Sequence, residues 1–270
     1  MAKIQRILEQ HGIDTTTLRR VELRLGASFY AFAIPNGAAL TRWAALRDLV
    51  AETGHWPLLI GDETSASELL PAIFDGTATQ VPLWEEGFDA ADTAATIAAG
   101  LQIDPIAWVD EKYRTSPNYR RERWEEEPEE GHDFEYHERR GQIFSLPTET
   151  LYGTPSTDVS LSPVYLILLP VSEGWQVPAF LQYGGVNDCP QPEEHVAMLR
   201  WWHERYGAEL VWLFTDSVYL RIVRPPCDPT VARGLAREQL VYCSSIEAAS
   251  AIESLAGLLN RATVWYFWWD

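Results

Sequence analysis

The chain has 270 residues, and its 39 Asp and Glu against 21 Lys and Arg give a formal net charge of −18. With 46% hydrophobic and 12% aromatic residues it is too apolar to be disordered, and three cysteines are too few for a disulfide scaffold. Nucleic acids and anionic membranes attract basic surfaces, so the charge argues against a general binder of either kind. We therefore expect a globular protein with no nucleic-acid partner and no membrane partner.

The first 110 residues alternate between helix and strand patterns, which is typical of a mixed α/β region. Apolar residues at helical spacing predict helices, and apolar runs between turn residues predict strands. In chain order we expect a helix at 3–11, one long strand or a hairpin at 21–34, a helix at 38–52, a buried strand at 56–61, and a helix at 65–74 capped by Thr64 or Ser65.

A charged connector is expected at 111–162, and it separates the two halves of the chain. Residues 120–131 are mostly charged, and residues 146–162 are rich in Pro, Thr, Ser and Gly, so both stretches favour irregular structure. The segment 132–138 (HDFEYHE) has the composition of a metal site, but its two histidines fall on different faces of a helix or a strand. We expect a solvated segment there, and no metal site in the chain.

The region 163–270 is predicted to be a C-terminal αβ domain with a β-hairpin and flanking helices, which makes the protein α+β overall. Its most strongly marked element is a helix at 193–206, with Pro192 at its start and Gly207 at its end. The other predicted elements are strands at 164–171 and 177–183 (the latter with Pro178 at an edge position), a hairpin at 209–223, helices at 229–242 and 245–260, and an aromatic strand at 264–270.

The beginning of the chain and the cysteines bear on the cellular compartment. Residues 1–7 lack the apolar run of a signal peptide, and the longest apolar stretches are the size of strands. The three cysteines, Cys189, Cys227 and Cys243, lack the close spacing of a zinc site. We expect a reduced, cytoplasmic protein with free thiols, and a bridge between Cys189 and Cys243 is the alternative.

The C-terminal region contains a series of short motifs: YGGVNDCP at 183–190, PEEH at 192–195, WHERYGAE at 202–209, RPP at 224–226, AREQ at 236–239, YC at 242–243 and YFWWD at 266–270. Together they are similar to the motifs of domain-of-unknown-function family 4253, a bacterial family. The resemblance covers about residues 160–270, and WPLLIG at 56–61 looks like a segment that often precedes such domains. This chain has Ser244-Ser245 where the family pattern implies Pro-Asp, and the resemblance implies no known reaction.

A thiol catalytic site is one hypothesis for this region. Cys189 precedes a predicted helix, where the helix dipole lowers the pKa of a thiol, so it is a candidate nucleophile with Asp188 as orienter. His195 or His203 would be the base, although His195 lies about 9 Å further along a continuous helix and contact requires a folded-back loop. The alternative is a small structural thiol in a turn whose Asn187 or Asp188 caps the helix.

Candidate binding residues are polar groups near the cysteines and aromatic residues of the kind enriched at interfaces. Turn formation and core packing are the competing explanations for them. The candidates are Asn187, Trp201, Glu204, Tyr206, Asp216, Glu238, Gln239, Tyr242, Cys243, Trp268 and Trp269.

Two functions follow as hypotheses. The first is a non-catalytic binding module, such as an immunity or defence-accessory protein, that meets a basic protein partner through its acidic surface. The second is a thiol-dependent enzyme that uses Cys189. No Walker loop, dinucleotide glycine signature, nucleophile elbow or zinc-protease motif is present, so no cofactor is predicted.

Overall fold

The computed structural model of the chain describes residues 2–22, 27–70, 93–115, 163–185, 187–246 and 252–269. The chain divides into two compact units. The first unit comprises Met1–Ala95, Pro147–Tyr183 and Leu210–Thr215, and the second comprises Thr96–Leu146, Gly184–Glu209 and Asp216–Asp270. Helices and strands occur in both units, which confirms the predicted α+β class. Within the described ranges, no helix combines the length and apolar character needed to cross a membrane.

The described helices and strands are numbered in chain order. The helices are α1 (Ala2–Gln10), α2 (Ala39–Asp48), α3 (Val50–Thr53), α4 (Glu63–Leu69), α5 (Thr93–Gly100), α6 (Pro105–Thr115), α7 (Val177–Leu181), α8 (Pro192–Tyr206), α9 (Pro229–Tyr242) and α10 (Ile252–Leu259). The strands are β1 (Arg19–Glu22), β2 (Ser28–Ile34), β3 (Trp56–Leu59), β4 (Val164–Leu169), β5 (Ala208–Leu213), β6 (Ser217–Ile222) and β7 (Val264–Trp268).

The first unit is built on strands in the order β1-β2-β4-β3-β5. Strand β4 pairs antiparallel with both of its neighbours, so that Ile167 lies opposite Ala31 on one side and Leu58 on the other. Strand β3 runs parallel to β5, with Leu59 opposite Trp212. Every residue of β3 and all but one of β4 are buried, as expected of central strands with near-continuous apolar sequences.

Most predicted elements of the first unit are present with shifted bounds. The segment 21–34 is a hairpin of β1 and β2, and the helix predicted at 38–52 is divided into α2 and α3. The helix predicted at 65–74 begins at Glu63, and neither Thr64 nor Ser65 caps it. Its cap is Asp62, whose carboxylate accepts a hydrogen bond from the backbone N–H of Ser65.

The strand predicted at 177–183 is wrong. The chain there forms a 3₁₀ turn at Gly174–Gln176 followed by helix α7. A capping box between Glu173 and Gln176 opens the turn, and Pro178 lies in the first turn of α7, where its missing N–H needs no partner. The apolar run is compatible with a strand or a helix. The capping box and the proline in the first turn favour the helix.

The second unit contains the elements that the sequence predicts most strongly. Helix α8 begins at Pro192 and ends before Gly207, whose φ of 62° places it in the left-handed region that glycine favours. Strands β6 and β7 pair antiparallel, with Ser217 opposite Trp268. In β7, Trp265 and Phe267 are buried whereas Tyr266 is exposed, because alternate residues of a strand point to opposite faces of the sheet.

Several predictions concern residues outside the described ranges. The connector from 116 to 162, with its charged stretch 120–131 and the segment 132–138, is among them. So are residues 247–251, at the start of the helix predicted at 245–260, of which Ile252–Leu259 are helical. The division into 1–110, 111–162 and 163–270 stays a prediction.

Candidate active site around Cys189

A glycine turn brings the Cys189 loop back towards helix α8. Gly184 and Gly185 have φ values of 120° and 78°, a region that side chains disfavour. A Cβ atom on Gly184 would lie 2.0 Å from the carbonyl oxygen of Pro190 and 2.9 Å from Cδ2 of His195. The N–H of Gly185 donates to the carbonyl of Pro190 at 2.9 Å, so the backbone closes the loop on itself.

The first turn of α8 fixes the position of His195. Gln191 is the N-cap residue, and its backbone N–H donates to Oε2 of Glu194 at 2.8 Å in a capping box. Neither Asn187 nor Asp188 caps this helix, so the capping role proposed for them in the structural-thiol alternative is absent. The backbone N–H of His195 donates to the carbonyl of Gln191 at 2.9 Å, as in a regular first turn.

The folded-back loop places a thiol, an imidazole and a phenol in one hydrogen-bonded chain. Sγ of Cys189 lies 3.3 Å from Nε2 of His195, and Nδ1 of His195 lies 2.6 Å from the hydroxyl oxygen of Tyr242. His195 and Tyr242 are completely buried, whereas Cys189 is half-buried. The imidazole ring also packs edge-on against Tyr242 and Trp269, with ring centroids 5.3 and 5.6 Å away.

Burial holds this chain of groups in its neutral form. Desolvation raises the pKa of the Cys189 thiol well above its ordinary value, the Cys243 thiol adds to the increase, and the N–H of Gly185 opposes it. Desolvation lowers the pKa of His195 to about 3 and raises that of Tyr242. At neutral pH the resting pair is therefore an S–H group beside an uncharged imidazole.

A second thiol lies beside the same chain of groups. Cys243 is fully buried, and its Sγ donates to the carbonyl of Trp268 at 3.0 Å. Burial raises the pKa of this thiol to about 12. Next to it, Oγ of Ser244 donates to Oδ2 of Asp188 at 3.3 Å, so the residue before Cys189 contacts the residue after Cys243.

A buried carboxylate forms a separate polar cluster in the same unit. Glu238 accepts hydrogen bonds from the indole N–H groups of Trp201 at 3.1 Å and Trp202 at 2.8 Å. Burial raises the pKa of Glu238, and the two indoles and Arg205 oppose the increase. Trp202 is in turn the centre of an aromatic cluster with Tyr242, Trp265 and Phe267.

The remaining candidates lie in other positions. His203 is at the C-terminal end of α8, where its Nδ1 lies 3.0 Å from the carbonyl oxygen of Ala208, and Glu204 pairs with Arg200 at 2.8 Å. The structure thus brings His195, and not His203, to the thiol. Asn187 is exposed, and Oδ2 of Asp216 accepts from the indole of Trp268 at 3.0 Å.

Three further candidates belong to the packed interior. Tyr206 stacks edge-on against Trp265 at 5.4 Å, and the indole of Trp269 donates to the backbone carbonyl of Tyr242 at 3.4 Å. Gln239 is buried, and its Nε2 atom has no hydrogen-bond partner within the described part of the chain. These positions support a packing role for the three side chains.

Sequence reasoning did not assign the role of Tyr242 as the partner of His195 or the contact of Ser244 with Asp188. It also missed helix α6, from which the indole of Trp108 and Nζ of Lys112 reach Oε1 of Glu194 at 2.8 and 3.0 Å. The sequence signal for this helix was Asp104, whose carboxylate accepts from the N–H groups of Ile106 and Ala107, followed by Pro105 at the first helical position. Among the residues that the structure describes, no group of three or more His, Cys, Asp or Glu is arranged to hold a metal ion.

Comparison with known proteins finds one family model that matches the C-terminal segment of the chain. No curated protein and no solved structure has significant similarity to the chain. A family model matches residues 165–270, which confirms the resemblance noted in the sequence. The candidate site, from Asp188 to Trp269, therefore lies within a segment that matches the family described as domain of unknown function (DUF4253).

Proposed function

We propose that the protein is a thiol-dependent enzyme in which Cys189 is the nucleophile and His195 is its general base. The observation that carries this proposal is the 3.3 Å separation between Sγ of Cys189 and Nε2 of His195. A nucleophile and a base within hydrogen-bond reach, with the base oriented by a third group, is the arrangement common to covalent catalysis by Ser and Cys. Tyr242, 2.6 Å from Nδ1, is the orienting group here.

The neutral resting state determines how the thiol is activated. Nε2 can accept the thiol proton only when the hydrogen of the imidazole is on Nδ1, which then donates to the oxygen of Tyr242. As Sγ bonds to an electrophilic carbon, its proton moves to Nε2, so the thiolate exists only during the reaction. Tyr242 is thus a positioning residue that fixes the tautomer and the orientation of His195.

With an ester as acyl donor, the cycle is balanced in two steps. Sγ bonds to the carbonyl carbon, the bond from that carbon to the alcohol oxygen breaks, and the alcohol leaves with the proton held by His195. Water then attacks the thioester, His195 accepts a proton from the water, and the proton returns to Sγ as the acid is released. A reducing cytoplasm, the compartment expected from the sequence, would keep Cys189 as a free thiol.

The proposal is tested with p-nitrophenyl acetate as the acyl donor. We expect the protein to release a burst of one nitrophenolate per chain, and Cys189→Ser to release none. His195→Gln should slow the burst by about 100-fold or more, because a positioned base contributes at least that factor. Cys227→Ser is the matched control, since that thiol is exposed and forms no part of the hydrogen-bonded chain described above. An undiminished burst in Cys189→Ser would overturn the proposal.

A pH profile separates the proposed pair from an ordinary thiol. An exposed thiol is alkylated as its thiolate, so its rate rises tenfold per pH unit up to a pKa of about 8.5. A neutral thiol–imidazole pair that transfers its proton internally should be alkylated by iodoacetamide at a constant rate between pH 5 and 8. The measurement uses Cys227→Ser, with the modified peptide identified by mass spectrometry. A tenfold rise per pH unit at Cys189 would contradict the mechanism.

A second candidate function is the binding of a basic protein partner, and the net charge of −18 supports it. The probe is a lysine-rich peptide, with a peptide of alternating Lys and Glu as control. Binding that is present at 50 mM NaCl and at least tenfold weaker at 300 mM supports this function, because salt screens exposed charges. The absence of binding at 50 mM NaCl, or an affinity that salt does not change, contradicts it.

A further inference from the structure

The residues on both sides of Cys243 are connected by hydrogen bonds to the region of Cys189. On one flank Asp188, the residue before Cys189, accepts a hydrogen bond from Ser244, the residue after Cys243. On the other flank, the chain from Cys189 through His195 ends at Tyr242, the residue before Cys243. These contacts connect the Cys189 loop and His195 with the two residues that flank Cys243.

The two thiols differ in access. Cys189 is half-buried at the loop, whereas Cys243 is fully buried and donates to the carbonyl of Trp268. A soluble oxidant therefore meets Cys189 first. Nε2 of His195, the basic atom that would accept the proton of Cys189, lies 3.3 Å from Sγ of Cys189. The Sγ atom of Cys243 instead donates to the carbonyl of Trp268.

The effects of the two thiols on the pKa values of their neighbours agree with these contacts. The negative charge of one disfavours the other, since Cys243 raises the pKa of Cys189. Both thiols raise the pKa of Tyr242 in the same way.

We infer that Cys189 and Cys243 form a reversible disulfide when the protein meets a peroxide, with Cys189 as the attacking thiol and Cys243 as the resolving thiol. The inference rests on the proposed function, because it takes Cys189 to be the reactive thiol. Both cysteines are free in the present structure, which is then the reduced state.

The chemistry is balanced with hydrogen peroxide as the oxidant. Sγ of Cys189 bonds to one peroxide oxygen as the O–O bond breaks, and its proton leaves with the other oxygen as water, which yields a sulfenic acid. Sγ of Cys243 then bonds to Sγ of Cys189, the S–O bond breaks, and the Cys243 proton leaves with the hydroxyl group as a second water. Two thiols are oxidised, one peroxide is reduced, and a thiol reductant reverses the bond.

The bond would remove the nucleophile from use and protect it from further oxidation. A sulfenic acid that meets no resolving thiol proceeds to the sulfinic acid, which is irreversible in most proteins. Cys243 would therefore convert a destructive reaction into a reversible loss of the thiol activity.

The test uses Cys227→Ser, which removes the exposed thiol, treated with one equivalent of hydrogen peroxide. We expect a peptide pair linked through Cys189 and Cys243, lighter by two hydrogens and separated again by dithiothreitol. Adding Cys243→Ser should abolish the link and leave a Cys189 sulfenic acid that dimedone traps, at least tenfold above the level with Cys243 present. Cys243→Ala serves as a second variant without the resolving thiol. The cross-link itself is measured in the Cys227→Ser protein, in which Cys243 is intact.

Two results would overturn the inference: equal trapping by dimedone with and without Cys243, or sulfinic acid at Cys189 without the cross-link. The reduced protein distinguishes this failure from failure of the proposed function. A reduced protein that gives the nitrophenolate burst but never cross-links overturns only the redox inference. A protein without the burst whose Cys189 resists iodoacetamide overturns the proposed function.

Discussion

The hydrogen-bonded tryptophans of the two units donate to different kinds of acceptor. In the first unit, Trp43 and Trp56 donate to backbone carbonyls, those of Pro57 at 3.0 Å and Leu210 at 2.9 Å. In the second unit four indoles donate to carboxylates, and only Trp269, in the described residues, donates to a backbone carbonyl. The four pairs are Trp108 with Glu194, Trp201 and Trp202 with Glu238, and Trp268 with Asp216.

The difference has a physical consequence. A backbone carbonyl accepts a hydrogen bond equally well at every pH, whereas a carboxylate titrates, and a buried one is costly to ionise. The second unit therefore carries ionisable groups inside its core, including Glu238 and the neutral His195. The described core of the first unit is almost entirely apolar. The proposed thiol chemistry lies in the unit whose core contains these ionisable groups.

The largest expected effect is the loss of stability of the protein below pH 6.5. His195 has a folded pKa of about 3 against 6.5 unfolded, so between these values the unfolded chain binds a proton that the folded chain does not. The free energy of unfolding should fall by about 1.4 kcal/mol per pH unit from this group. Urea unfolding at pH 6 and pH 5 should show a shallower pH dependence in His195→Gln than in the unmodified protein.

The matched control for that experiment is in the first unit. His55 is half-buried, and burial lowers its pKa while the carbonyl of Thr53 opposes the decrease. His55→Gln should therefore change the pH dependence less than His195→Gln does. Equal changes would show that the two units do not differ in this respect.

The next effect compares one indole from each unit. Trp56→Phe removes a hydrogen bond to a backbone carbonyl, which should cost about 1–3 kcal/mol at any pH. Trp202→Phe removes a hydrogen bond to Glu238, and its cost should be larger at pH 7 than at pH 4, where the carboxyl is protonated more fully. The same pH dependence in both variants would show that the carboxylate and carbonyl acceptors do not differ in this respect.

A smaller effect is expected for Glu238→Gln, which keeps an acceptor for both indoles but removes the charge. Because the folded pKa of Glu238 is raised, ionisation lowers the stability of the folded state as the pH rises from 4.5 through that pKa. The variant should gain stability relative to the unmodified protein over this range. Thermal unfolding at pH 4 and pH 7 measures it, and a relative loss at pH 7 would contradict the sign.

The smallest effect is expected for Lys112→Ala. Its ion pair with Glu194 joins a side chain that is 41% exposed to one that is 15% exposed, at 3.0 Å. Such pairs contribute about 0.2–1 kcal/mol and weaken with salt. Lys112→Met keeps most of the aliphatic stem and serves as control. A loss above 2 kcal/mol would show that α6 supports α8 more strongly than an exposed pair can.

The elements that the sequence predicted well are those with local signals at both ends. Helix α8 has Pro192 and a capping box at its start and Gly207 at its end, so its bounds needed no tertiary information. Helix α7 was mistaken for a strand because a five-residue apolar run fits either period. Pro178 is allowed both at a strand edge and in the first turn of a helix, and the capping box at Glu173 was overlooked.

The site was predictable in part. Cys189 and His195 stand out because a thiol beside a helix start and a histidine in the first turn are local features. Their contact depends on the backbone path of Gly184 and Gly185, which the spacing of apolar residues in the sequence does not predict. Tyr242 comes from α9, 47 residues from His195, so only the tertiary fold reveals it as the partner of the imidazole.

The close approach of Gly184 to His195 has a consequence for how relatives of this chain can vary. A side chain at position 184 would collide with the carbonyl of Pro190 at 2.0 Å before it met the imidazole at 2.9 Å. Relatives whose loop follows this path should therefore keep the glycine whether or not they keep the histidine. Relatives that replace His195 should lose the partner of the thiol and still keep Gly184.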